Sequence, residues 1–109
     1  AVKHAMYGAA IMNSCADACL AEPNAGERAE CIRRCLDASD ACTAFYRMGS
    51  RRTGGNVPAI KAIGEAVLVA VKACHDLCKM HDDAHCKRCT KMCEEILADV
   101  RKALDTMDR

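Results

Sequence analysis

The stretch Cys74-His-Asp-Leu-Cys78-Lys-Met-His81-Asp-Asp-Ala-His85-Cys86-Lys-Arg-Cys89-Thr-Lys-Met-Cys93 decides the architecture of this chain. Its cysteines stand three or four residues apart on either side of a short interruption. At about 100° per residue, that spacing lines side chains along one stripe of an α-helix. Cys86, Cys89 and Cys93 fall within roughly 60° of one another on such a wheel. The interruption, His81-Asp82-Asp83, carries two residues able to cap a helix start. The stretch therefore reads as a helical hairpin with thiols where apolar residues normally stand.

Outward from it, the chain repeats the pattern. Cys15-x3-Cys19, eleven residues, Cys31-x3-Cys35 is echoed by Cys74-x3-Cys78, ten residues, Cys89-x3-Cys93. Cys42 extends the second stripe, within roughly 40° of Cys31 and Cys35. Two further breaks, Glu22-Pro-Asn-Ala-Gly26 and Gly49-Ser-Arg-Arg-Thr-Gly-Gly-Asn56, are punctuated by Pro, Gly and Asn. Pro58 suits the first turn of a helix. These signals predict four helices, at 2–21, 27–48, 57–80 and 83–107. Short connections favour an all-α, antiparallel up-down-up-down bundle, formed by two hairpins packed as a pseudo-dimer. The expected organisation is one domain over residues 1–109.

Composition agrees. Aromatics make up only 3% of the residues, and the 51% hydrophobic fraction is inflated by Ala and Cys. Bulky core formers are few, so something besides aliphatic burial has room to stabilise the fold. A net charge of +1 gives no strong pull on nucleic acid or membrane. The longest apolar run, Ala66-Val-Leu-Val-Ala-Val71, is too short to span a bilayer. With no secretory signal in the sequence, a cytoplasmic location is expected, or a periplasmic one if a signal peptide preceded Ala1.

In an up-down bundle the late parts of helices 1 and 3 and the early parts of helices 2 and 4 share one end. All ten cysteines fall towards that end: Cys15, Cys19, Cys31, Cys35, Cys42, Cys74, Cys78, Cys86, Cys89 and Cys93. The other end receives Ile11, Phe45, Ile60, Ile63, Val67, Leu97, Val100 and Leu104 on the inward stripe. The expectation is a bundle that is apolar in one half and thiol-lined in the other.

Soft thiolates select Cu(I), zinc or iron–sulfur clusters. Zinc sites usually close four ligands around the ion with short loop spacings, and iron–sulfur clusters use loop-borne cysteines too. Here the thiols lie on rigid helices. Cu(I) accepts two or three thiolates, and a thiolate can bridge two coppers, so facing i, i+4 pairs could hold several ions. His75, Met80, His81 and His85 gather at the same end and are also acceptable copper ligands. As helix residues, His75 and His85 point about 100° from their neighbouring cysteines and belong to the flank. His81 lies in the connection and can turn inward. Met12 and Met48 read as core filler.

Disulfides are the competing chemistry. The twin C-x3-C pairs resemble those of small helical-hairpin chaperones of the mitochondrial intermembrane space. A cross-helix bridge such as Cys19–Cys31 would be geometrically allowed. Cys42, Cys86 and the histidines have no place in that motif. Cys86-Lys-Arg-Cys89 lacks the βαβ setting of a thioredoxin-like site. Nothing groups an acid, a base and a nucleophile around a pocket, so no enzymatic activity is expected.

The stretch from Cys74 to Cys93, together with Cys31-Ile-Arg-Arg-Cys35-Leu-Asp-Ala-Ser-Asp-Ala-Cys42, resembles the four-helix-bundle copper storage proteins. That family has also been described as a cysteine-rich domain with ferredoxin-like spacing. The likeness covers nearly the whole chain in spacing and is strongest over helices 2 to 4. It implies a bundle, often a tetramer, whose core cysteines bind many Cu(I) ions. Histidines and methionines near the open end would pass copper in and out, and a copper chaperone could deliver it. The chain departs from the family pattern at Ala38 and Ile96, where relatives often carry further cysteines. Ile63, Val67 and Val71 likewise stand in place of thiols in helix 3, which implies a lower capacity.

Overall fold

The helices form where the apolar and thiol periodicity runs unbroken, and they stop at the three punctuated segments. In a computed structural model, which describes residues 1–107, α1 spans Val2–Leu20, α2 Ala29–Gly49, α3 Val57–Cys78 and α4 Ala84–Met107. Residues 108 and 109 of the expected domain lie outside the described residues. A short 3-10 turn, Ala25–Arg28, leads into α2, so this helix starts two residues later than the spacing predicts. Pro58 sits in the first turn of α3, where its missing N–H costs nothing. Gly54 in the second connection has φ +74°, a left-handed conformation open to glycine. At the start of α4 the Asp83 carbonyl accepts the Lys87 N–H at 3.0 Å.

Each helix packs against its two neighbours in the order α1–α2–α3–α4 and back to α1, an up-down-up-down bundle. The bundle measures 48 × 18 × 18 Å, the length of one helix plus its connections. Among the described residues, no helix is long and apolar enough to cross a membrane.

The interior is divided along its length. Phe45, Ile60, Val67, Val100 and Leu104 fill one end and are fully or almost fully buried. Ile11, Ile63 and Leu97, expected on the inward stripe, are only half-buried. Their chain neighbours Met12, Gly64 and Ile96 take the central positions and leave them on the helix seams. Met12 is core filler, as expected, while Met48 packs against the core edge.

Two glycines set close helix approaches. A Cβ at Gly64 would stand 2.7 Å from Leu104 Cδ2, and one at Gly8 would stand 2.1 Å from Ile96 Cδ1. Ile96 thus leans across onto α1 at mid-bundle. Ser39 adds a buried tie there, donating to the Ala9 carbonyl at 2.8 Å.

Candidate metal centre

The thiol half begins beyond this layer. All ten cysteines are free and at most 2% exposed. Their sulfurs meet across helices. Cys35 lies 3.3 Å from Cys74 and 3.5 Å from Cys78, and Cys31 lies 3.5 Å from Cys78. Cys89 is 3.7 Å from both Cys74 and Cys78. Nearer the end of the bundle, Cys19 is 3.9 Å from Cys86. These are contact distances, well beyond an S–S bond of about 2.05 Å. The disulfide-stapled alternative is not favoured.

The donor atoms fall into overlapping groups. Cys15, Cys19, His85 and Cys86 form one, with every ligand atom within 4.8 Å of the others. Cys15, Cys35, Cys78 and Cys89 form a second, and Cys74, Cys89 and Cys93 a third. Cys15 and Cys89 are shared, so the groups run as one array along the bundle axis. Cys42 lies deepest, close enough to Cys93 to feel its charge. A pair or triad of such sulfurs suits a low-coordinate soft ion, and a shared sulfur can bridge two ions.

Burial governs the thiols at the margins of the array. It pushes the Cys42 thiol up to about 12, and it raises Cys86 as well. Within the array, hydrogen bonds from Cys15, Cys31, Cys35 and Cys74 converge on Cys78 and hold its pKa far down, against burial. The array therefore stabilises a first thiolate by donation from neighbouring thiols.

The candidate ligands other than cysteine separate clearly. His85 joins the array: its Nδ1 lies 3.5 Å from both Cys15 and Cys86, and its Nε2 is 3.0 Å from a Glu22 carboxylate oxygen. Burial disfavours its charged form, but Cys15 and Glu22 outweigh burial and raise its pKa. His75 does not join. It bridges Asp76 at 3.1 Å and Glu94 at 2.9 Å on the α3–α4 seam. Met80 is 74% exposed, and neither it nor His81 is brought into the sulfur groups. The connection carries these two residues past the end of the bundle, and its turn is closed by the His81 N–H donating to the Cys78 carbonyl.

Two features at this end carry no signal in the sequence. Arg28 is buried, with its guanidinium paired to Asp83 and directed at two thiols. Glu22 backs His85 and forms, with Asp83, a small polar rim. A lone Arg and a lone Glu in turns have no periodicity to betray them. They meet the thiols because two connections close over the same end.

A helical bundle with facing thiols along half its interior is a soft-metal-binding bundle. The chain belongs to the copper storage protein family, whose model matches residues 1–105. Solved structures agree. A histidine-to-alanine mutant of Ccsp from Streptomyces lividans has a TM-score of 0.93 at 30% identity, covering 97% of this chain and 90% of that one. The cytosolic copper storage protein of Streptomyces lividans with five coppers gives 0.90 at 31% identity, covering 95% and 88%. Ccsp loaded with 10 copper equivalents gives 0.91 at 31%, covering 95% and 80%. Comparison with curated proteins gives no match.

Proposed function

We propose that this chain stores or buffers copper as Cu(I), bound by its core thiolates. The observation that carries the reading is the continuous sulfur array, in which Cys31, Cys35, Cys74, Cys78 and Cys89 touch at 3.3–3.8 Å across three helices. Structural packing has no need for ten thiols in register. A redox enzyme would expose at least one reactive thiol, and here every cysteine is sheltered.

The proposed ligands are Cys15, Cys19, Cys31, Cys35, Cys42, Cys74, Cys78, Cys86, Cys89 and Cys93, with His85 at the outer end. Two unshared thiolates per ion would give a capacity of about five, and bridging would raise it towards about ten. His75, His81 and Met80 serve, in this reading, as transient stations outside the array. A cytosolic location is inferred from the relative described as cytosolic. Assembly into a homo-oligomer, a tetramer by resemblance, and supply by a copper chaperone complete the proposal.

The test is titration of the reduced protein with Cu(I) against a chromogenic chelator, with a thiol count on the same sample. Several ions bound, with loss of titratable thiols in step, is the expected result. One ion or none would remove the storage reading.

A further inference from the structure

The sulfur chamber is closed at the end through which its cargo must pass. Cys19, Cys86 and Cys78 are fully buried, and Cys31 nearly so. Phe45, Ile60 and Leu104 plug the other end. Copper can therefore reach a thiol, or leave one, only if a covering group moves. His85, held by Glu22 at 3.0 Å, stands at this end as the outermost ligand. Arg28 lies over two of the outer thiols without being one of the ligands.

Arg28 is the one charged residue among those described that is buried, at 6% exposure. It stands at the last position of the 3-10 turn before α2. Its Nε donates to Asn24 Oδ1 at 2.8 Å, which fixes the side chain to its own connection. Its Nη1 pairs with the Asp83 carboxylate at the start of α4. The same nitrogen lies 3.6 Å from Cys86 Sγ and 3.9 Å from Cys19 Sγ. One guanidinium thus ties the first connection to the third, directly over two outer thiols. A buried cation persists only when paired, and this one is paired to a carboxylate that is 30% exposed. Water can take over that carboxylate when the pair parts. The guanidinium can then swing outward without leaving a charge stranded in the core.

We propose that the Arg28–Asp83 ion pair is a latch over the sulfur chamber, setting the rate at which copper exchanges with donors and acceptors. The proposal rests on the storage reading above and adds a kinetic role for two residues that are not ligands. The latch acts on the barrier, so opening it speeds traffic in both directions and leaves capacity alone. Capacity is thus the readout of storage, and rate is the readout of the latch.

The experiment compares the unmodified protein with Arg28→Ala, Asp83→Asn and Arg28→Lys. Loading is followed from a Cu(I)–chelator complex, and removal is followed into excess chromogenic chelator. Arg28→Ala and Asp83→Asn are expected to accelerate both processes by up to about fivefold, the scale of releasing one partly exposed ion pair, with end-point stoichiometry unchanged. Arg28→Lys, which keeps a charge but loses the forked contact, should fall between. Asp83→Asn leaves the packed Arg28 side chain in place, so it decides the matter if Arg28→Ala loses its helical fold. Wild-type rates in both directions for Asp83→Asn would overturn the latch. So would slower loading with faster removal, which would make Arg28 a counter-charge to bound copper.

Discussion

His85 and Met80 show how little distance along the chain says about reach. Five residues separate them, yet His85 touches two sulfurs while Met80 lies in solvent. Replacing His85 with Ala should slow Cu(I) loading from a donor several-fold and leave the final count nearly intact, because the thiols still outcompete the donor. Met80→Ala, which removes only a transient station outside the array, should slow loading far less; stopped-flow measurement of both variants tests the distinction. Cys42 yields a separate prediction about pH. Its thiol is pushed up to about 12 by burial, whereas an unfolded thiol ionises near 8.5. Between these values the unfolded chain binds fewer protons than the folded one at this site, so stability falls as pH rises. Below about 8.5 both states hold the proton and the contribution is flat. Thermal midpoints of the apo-protein should therefore decline above that pH, and Cys42→Ala should lessen the decline.

Helix pairing depends on where side chains are missing as much as on where they are present. Gly8 lets Ile96 lie against α1, and a Cβ there would collide with its terminal methyl. Ile96 is itself fully buried and has little room to turn. Gly8→Ala should destabilise the fold by about 1–3 kcal/mol, as overpacking does, and denaturant titration would register it. A combined Gly8→Ala, Ile96→Val variant should recover part of that loss. The four helices themselves were legible in the sequence to within two residues at every end, because a thiol stripe and an apolar stripe obey the same 3.6-residue period. The break before α4 was legible from His81-Asp82-Asp83, but the Asp83 carboxylate is engaged by Arg28. Contacts across seams were not legible. Ile63 and Leu97 sit on the inward half of a helical wheel, but the wheel does not say which neighbour of a pair takes the centre. His85 reads as a flank residue, and the flank of α4 turns out to face the sulfurs of α1. Arg28 and Glu22 were invisible, since their roles come from two turns meeting in space.

At the scale of the whole molecule, the apolar half must hold the fold whether or not the thiol half is filled. Phe45 is the largest fully buried side chain, so Phe45→Ala should cost about 3–5 kcal/mol and bring the apo-protein close to its limit of stability. Copper binds the folded form, with its sulfurs assembled, more tightly than the scattered thiols of the unfolded chain, so loading should raise the melting temperature and partly rescue that variant. Calorimetry on the apo and loaded forms would show it. Absence of any rise with loading would mean that the assembled array holds copper no better than the unfolded thiols do.

The sulfur contacts have a mechanical consequence. Cys35 and Cys74 already touch at 3.3 Å. If a metal–thiolate bond is about 2.3 Å, the zinc value, two sulfurs sharing one ion stand about 4.0 Å apart in trigonal geometry and about 4.6 Å apart in linear geometry. An ion inserted between Cys35 and Cys74 must therefore part their sulfurs by roughly an ångström while the Phe45 end stays clamped, whereas Cys19 and Cys86, at 3.9 Å, already stand near trigonal spacing. The bundle would splay from a fixed hinge as it fills, so its girth at one end would report how much cargo it carries. Spin-label distances between α2 and α3, compared at the two ends during loading, should grow at one and stay constant at the other.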